Sequence, residues 1–224
     1  MTVLKIIVCL VIGYLLGNIS PAFLIGKRRG YDVREDGSGN VGASNAFILA
    51  GKNAFFITAI LDILKAFAAY RLCQLLFPAL PAAGPLGGAA CILGHIYPAA
   101  LGFHGGKGLA SLGGVILAWS WKWFFILLAA AAVIAFVSQY VCLVAPTMSV
   151  IFPICYFLQT WYLAGALILL APAVPIIRKH KENFARIKDG TELRMRFIWN
   201  KEAELKRTGR WNDETRDQLE RRGK

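Results

Sequence analysis

With 224 residues, 57% of them hydrophobic, and a mean hydropathy of +0.53, the chain is too apolar for an ordinary soluble domain and long enough for several membrane spans. The formal net charge of +12 is unevenly placed: residues 1–177 hold 10 Lys/Arg and 4 Asp/Glu, whereas residues 178–224 hold 15 and 9. The basic residues abut apolar stretches and form no aromatic-interleaved surface, so anionic membrane lipid accounts for them and nucleic acid is excluded as a partner.

The first apolar stretch, residues 3–25, begins like a secretory signal with Lys5 ahead of the run, but no small-residue cleavage site followed by a soluble domain comes after it, and it reads as a membrane span. Further stretches at 53–77, 83–101, 108–120, 122–138, 142–158 and 161–177 approach the roughly 20 residues that cross the hydrocarbon, with 108–120 the shortest. The pattern predicts an all-α polytopic membrane protein with seven transmembrane helices. Lys27, Arg28, Arg29, Arg34 and Lys52 flank the first connection, Lys107 lies in the third, and the basic tail follows the last span. Cytoplasmic retention of positive charge then sets the N-terminus extracytoplasmic and the C-terminus cytoplasmic. The opposite connections, with Pro78 and Pro81, Trp119 to Trp123, and Trp161 with Tyr162, read as an outer interfacial belt. Pro172 and Pro175 are expected to loosen the last span just before His180. Cys9, Cys73, Cys91, Cys142 and Cys155 stand singly in apolar surroundings and read as packing residues.

Two polar glycine-rich segments interrupt this pattern on the cytoplasmic side. In Gly37-Ser38-Gly39-Asn40-Val41-Gly42-Ala43-Ser44-Asn45, three glycines permit positive φ and close backbone approach, while Ser and Asn supply donors, a composition suited to an oxyanion and also found in capped turns. In Phe103-His104-Gly105-Gly106-Lys107-Gly108, a Lys sits in a glycine nest able to grip one phosphate as a point charge. A nucleotide P-loop is excluded, because Leu101 and Gly108 stand where its first Gly and its Ser/Thr belong.

His95 lies inside the third apolar stretch, either as a functional ionisable group or as a packing imidazole bonded to a carbonyl. Asp62 and Lys65, three apart, read as a structural pair in preference to a substrate contact. In the tail, His180 and Asn183 share a helix face, so a neutral His180 can take a hydroxyl proton with Asn183 orienting it and nearby cations holding a phosphate; a solvated basic segment on anionic lipid is the plainer alternative.

Taken in order, these motifs, with Leu61-Asp62-Ile63-Leu64-Lys65, Gly94-His95-Ile96-Tyr97-Pro98, His180-Lys181-Glu182-Asn183-Phe184-Ala185-Arg186 and Gly190-Thr191-Glu192, closely resemble the bacterial acyl-phosphate glycerol-3-phosphate acyltransferases over about residues 10 to 197. The resemblance implies a multi-pass protein of the bacterial cell membrane that moves a fatty acyl group from acyl phosphate to glycerol 3-phosphate, facing the cytoplasm and using neither metal nor cofactor. It further implies Ser38, His180 and Asn183 as catalytic residues and Gly37, Ser38, Gly39, Asn40, Asn45, His95, Gly105, Gly106, Lys107, Gly108 and Glu192 as substrate-binding ones. Within that set, Ser38, Gly39 and Asn40 would hold the acyl-phosphate end, while His180 and Asn183 would bind glycerol 3-phosphate. The substrate phosphate has been discussed as the base in this family, in which case His180 positions more than it abstracts. The His-x-x-x-x-Asp motif of the unrelated glycerophosphate acyltransferases is missing, since Ala100, Leu109 and Ala185 follow the three histidines at that spacing.

The chain departs from the family pattern at Ile48 and Gln139, where Arg is usual, at His104, where Lys is usual, and at Cys142, where Ser is usual. Two lost cations and one weakened cation suggest weaker glycerol 3-phosphate binding, a different acceptor, or a non-catalytic phosphometabolite- or lipid-binding paralogue. A thioester on Cys142 is a rival mechanism, but the thiol has no base beside it in sequence. Residues 1–197 are read as a membrane acyltransferase domain and 198–224, with Trp199 and Trp211, as a charged cytoplasmic extension lying on the membrane surface or folding over the site.

Overall fold

The computed structural model describes residues 1–209, and every regular element among them is helical. Helix α1 (Thr2–Asn18) stops where Ile19 turns extended, and Ser20 then caps α2 (Pro21–Arg28) by accepting from the Phe23 amide at 3.3 Å. Pro21 suits the first helical position because it has no amide to leave unpaired. The first expected span is thus interrupted near its end, at Ile19 and Ser20.

Helix α3 (Ala43–Leu76) begins well before the expected residue 53. Its polar first turns resemble a loop by composition, and Gly51, at φ 79° and ψ −169°, breaks the helix just before the apolar run that the sequence reading took as its start. Helix α4 (Ala83–Ile96) is shorter than the expected 83–101, because the chain leaves helix at Tyr97 and Pro98 and makes a 3₁₀ turn over Ala99–Leu101. After it come α5 (Leu109–Trp119), α6 (Trp121–Ser138), α7 (Val144–Thr160), α8 (Leu163–Leu170), α9 (Ala173–Lys179), α10 (Lys181–Lys188) and α11 (Lys201–Arg207).

Four segments among the described residues are long and apolar enough to cross a membrane: Thr2–Arg28, Ala43–Leu76, Trp121–Ser138 and Val141–Thr160. Leu163–Lys179, joined to α10 at a 47° bend, would make a fifth. Helices α4 and α5, with 14 and 11 residues, are too short by that measure. Helix α4 is buried along nearly its whole length and packs on α1, α3, α5 and α8. Small residues permit this: a Cβ on Gly13 would strike the Gly87 carbonyl, and one on Gly17 the Cys91 carbonyl.

Trp119, Phe152 and Tyr156 fill the other half of the core, with Trp119 centroids 5.6 Å and 5.3 Å from the other two rings. Many exposed apolar side chains, among them Phe56, Ile60, Leu75, Phe125, Val133 and Leu158, lie on the long helices, as lipid-facing surfaces require. The bend at His180 turns α10 away from the line of α8 and α9, and Gly108 lies against Ile96 and Ile176, which brings the second glycine-rich segment beside α9.

Candidate active site

The first glycine-rich segment is organised from inside by Asn45, whose side chain is 0% exposed. Its Oδ1 accepts from the Ser38 amide at 2.8 Å, and its Nδ2 donates to the Val33 and Asp36 carbonyls at 2.9 and 3.0 Å. Gly37, at φ 68°, lies so close to Asn45 Oδ1 that no side chain fits there. The Gly39 amide donates to Asp36 O at 3.2 Å, so the amides of Ser38 and Gly39 are spent within the loop and do not stand ready for a phosphate. Gly42, at φ −158°, is extended, and positive φ is not its role. The Ser38 side chain is exposed, makes no hydrogen bond among the described residues, and sits on the tip that Asn45 fixes.

Beneath the loops lies a buried polar cluster that joins three elements. Lys65 Nζ is 2.7 Å from Asp62 Oδ1 and donates to the carbonyls of Gly17 at 3.1 Å and Ile19 at 2.6 Å. His95 Nδ1 lies 3.0 Å from Lys65 Nζ and 3.4 Å from Asp62 Oδ1. With Asp62 2% and Lys65 7% exposed, these charges are tolerable only because each meets a partner. The cluster fastens the end of α1 to α3 and α4. It also supports the second glycine-rich segment: the Gly106 amide donates to His95 O at 3.1 Å, and Gly106 itself is wedged between the His95 imidazole and the Val41 carbonyl. A Cβ on Gly105 would meet the carbonyls of His95 and Ile96 and push the segment off the end of α4, while one on Gly106 would also part it from Val41 of the first segment.

Lys107 leaves this support and reaches the tail. Its Nζ donates to Asn183 Oδ1, Asn183 Nδ2 donates to Glu192 Oε1 at 2.7 Å, and Arg186 Nε donates to Glu192 Oε2 at 2.6 Å. His180, 3% exposed, has its Nδ1 2.8 Å from the Ile176 carbonyl. A carbonyl only accepts, so Nδ1 carries the hydrogen and the neutral ring presents the Nε2 lone pair. Burial, with Lys107 adding to it, holds the His180 pKa below its usual value, despite the opposing effects of the Ile176 bond and Glu192. Burial also depresses the Lys107 pKa, with Arg186 adding to it and Glu192 opposing. A neutral base and a desolvated cation therefore stand together, and an anion arriving at Lys107 would relieve its cost.

Of the residues picked from sequence, His95, Gly105, Gly106, Lys107, Asn183 and Glu192 fall into one connected set, and burial places His180 within the electrostatic reach of Lys107 and Glu192. Gly108 adjoins that set through Ile96 and Ile176. Asn45 faces its own loop, and among the described residues no hydrogen bond joins Ser38, Gly39 or Asn40 to the set, although the Val41 carbonyl of the same loop lies against Gly106. His104 is exposed, with Nδ1 2.7 Å from Gly102 O, and Gln139 caps the end of α6 by donating to Phe136 O at 2.6 Å. Arg186 closes the motif that begins at His180, and its pairing with Glu192 depends on a turn that brings together residues six apart. Asp62 and Lys65 were read as a pair, while His95 as their third member was missed, because it meets them only through helix packing. Trp211 lies outside the described residues.

Residues 7–190 match the model of the glycerol-3-phosphate acyltransferase family. A glycerol-3-phosphate acyltransferase of Lactiplantibacillus plantarum is 36% identical over 200 residues, covering 87% of this chain and 94% of the relative. One from Geobacillus kaustophilus is 38% identical over 192 residues, covering 84% and 95%. The crystal structure of PlsY (YgiH), an integral membrane glycerol 3-phosphate acyltransferase, superposes in its glycerol 3-phosphate form with a TM-score of 0.79 at 30% identity, covering 86% of this chain and 96% of that one. Its lysophosphatidic acid form gives 0.76 at 31% identity, covering 84% and 94%. With apolar helices enclosing a Lys–Asn–Glu–Arg row beside a buried histidine, and with most of its length matched, the chain belongs to the glycerol-3-phosphate acyltransferase family of integral membrane proteins.

Proposed function

We propose that the protein transfers a fatty acyl group from acyl phosphate to the sn-1 hydroxyl of glycerol 3-phosphate, yielding 1-acyl-glycerol 3-phosphate and inorganic phosphate. The observation that carries this reading is the Lys107–Asn183–Glu192–Arg186 row beside His180. Lys107 binds the acceptor phosphate, exchanging the Asn183 oxygen for a phosphate oxygen. Asn183 holds the acceptor, and Glu192 keeps its amide oriented. His180, neutral and with its lone pair on Nε2, accepts a hydrogen bond from the hydroxyl and aims it at the acyl carbonyl. The new ester bond forms as the carbonyl–phosphate bond breaks, and the hydroxyl proton leaves with the departing phosphate, directly or through His180.

The first glycine-rich segment holds the donor end through Ser38 and Asn40, while Asn45 keeps that tip in shape. Gly37, Gly39, Gly105, Gly106 and Gly108 contribute the close backbone approach. His95 supports the second segment from beneath. The acyl chain lies among the spans, so that charge stays at the surface. The site faces the cytoplasm, as the Lys and Arg beside the same loops favour, and α4 and α5 complete a seven-span arrangement with the N-terminus outside.

The test is donor and acceptor selectivity in reconstituted membranes together with rescue of a strain lacking this activity. Acyl phosphate and glycerol 3-phosphate should give lysophosphatidate and growth. Phosphate release only with another phosphorylated or hydroxylated acceptor would instead support the altered-acceptor reading, which the neutral Ile48 and Gln139 motivate.

A further inference from the structure

The described chain past residue 190, where the family match ends, folds back onto the site. Met195 N donates to Gln139 O at 2.7 Å, tying the segment to the end of α6. The Phe197 ring stands edge-on to Phe47 of α3 at 6.1 Å. Arg207, on α11, turns its guanidinium back across 17 residues: Nη1 donates to Gly190 O and Nη2 to Glu192 O, both at 2.5 Å. The same side chain pairs with Glu204 at 2.9 Å through Nε, and Glu204, 4% exposed, accepts the Arg194 amide at 2.8 Å.

We infer that Arg207 is a positioning residue for the acceptor side of the site. By holding the carbonyls on either side of Thr191, it fixes the turn that carries Glu192. Glu192 in turn fixes the Asn183 amide, and Asn183 fixes Lys107. Arg207 touches no reacting atom, and its effect is on how well the acceptor is held. A guanidinium is required, because its planar fork reaches both carbonyls and the Glu204 carboxylate at once, whereas an ammonium is a single point of charge. The inference rests on the reading that Lys107 and Asn183 hold the glycerol 3-phosphate phosphate.

The test uses the full chain in lipid nanodiscs, with kcat and KM measured for both substrates in wild type, Arg207→Ala, Arg207→Lys, Asn183→Ala and the Asn183→Ala/Arg207→Ala double variant. Arg207→Ala should raise KM for glycerol 3-phosphate about tenfold while kcat and the donor KM stay within about twofold. Arg207→Lys should not restore it, and the double variant should be no worse than Asn183→Ala alone. If Asn183→Ala raises the acceptor KM but Arg207→Ala does not, or if the two losses add, the inference fails and the site reading stands. Parallel losses in donor and acceptor parameters from Arg207→Ala would also overturn it, since they would report general destabilisation. An unchanged acceptor KM in Asn183→Ala would sink the site reading itself and the inference with it.

Discussion

Lys107 is the single residue on which the site depends most. Its ammonium is partly withdrawn from water beside Arg186 and is held by Asn183. Lys107→Met should lower kcat/KM by about a hundredfold, since removing one partner of a desolvated charge-assisted bond typically costs about 2 to 5 kcal/mol. Initial rates check this, with an unchanged melting temperature excluding a folding defect. His180 makes the second residue-scale prediction. Its pKa lies below the usual 6.5, so the ring is neutral at pH 7 and loses the Nε2 lone pair only on acidification. A pH profile of kcat/KM should therefore be flat near neutrality and fall on the acid side below 6.5, and His180→Asn should abolish that limb. The folded chain binds this proton less tightly than the unfolded chain, so stability too should decline as pH falls through the same window.

Between elements, the buried Asp62–Lys65–His95 cluster is the main joint. Lys65→Met leaves the Asp62 carboxylate without its closest partner and frees two carbonyls of the α1 terminus, which should destabilise the protein by about 3 to 5 kcal/mol. The Asp62→Leu/Lys65→Met double variant should recover much of that loss, read as thermal unfolding in detergent. Equal losses in single and double variants would show that the charges do not depend on one another. The spacing of three residues made the Asp62–Lys65 pair legible in the sequence. The third member was not, because His95 is 30 residues away from Lys65 and reaches it through the packing of α4 on α3, where Gly84 and Gly87 lie against Tyr70 and Cys73. Likewise the apolar run of α3 was visible, but not its polar opening turns, since Asn45 reads as a loop residue until the three backbone groups that it satisfies are known. The common face of His180 and Asn183 was expected from a continuous helix. His180 stands instead at the bend, as the residue before α10, with Asn183 buried in that helix's first turn.

For the molecule as a whole, two of the polar motifs, 104–108 and 180–192, come together in the Lys107–Asn183–Glu192–Arg186 row. The motifs 37–45, 104–108 and 180–192 were recognisable because each has a dense composition of its own. Arg207 was not, because its Glu204 partner reads as an ordinary helix pair and the Gly190 and Glu192 carbonyls that it also holds leave no mark in the sequence. In the cavity of about 520 Å³ at the end of α6, Gln139 faces Arg194 and Arg196 from the C-terminal segment. Gln139→Arg would add a third cation there, so acceptor KM should not improve in the full chain, which initial-rate measurements at low ionic strength check. Membrane orientation is tested by single-cysteine labelling in a background without the native thiols: positions 38 and 104 should react from the cytoplasmic side, and position 2 from the other.

On the proposed reading, the Lys107–Asn183–Glu192 row binds the acceptor of an acyl-phosphate-dependent transfer. Its most direct test is product analysis with the purified chain reconstituted in lipid and supplied with acyl phosphate and glycerol 3-phosphate, in wild type and Lys107→Met. Lysophosphatidate and inorganic phosphate should appear in equal amounts from the wild type and drop together by about a hundredfold in the variant. Phosphate without lysophosphatidate, or a variant as active as the wild type, would contradict it.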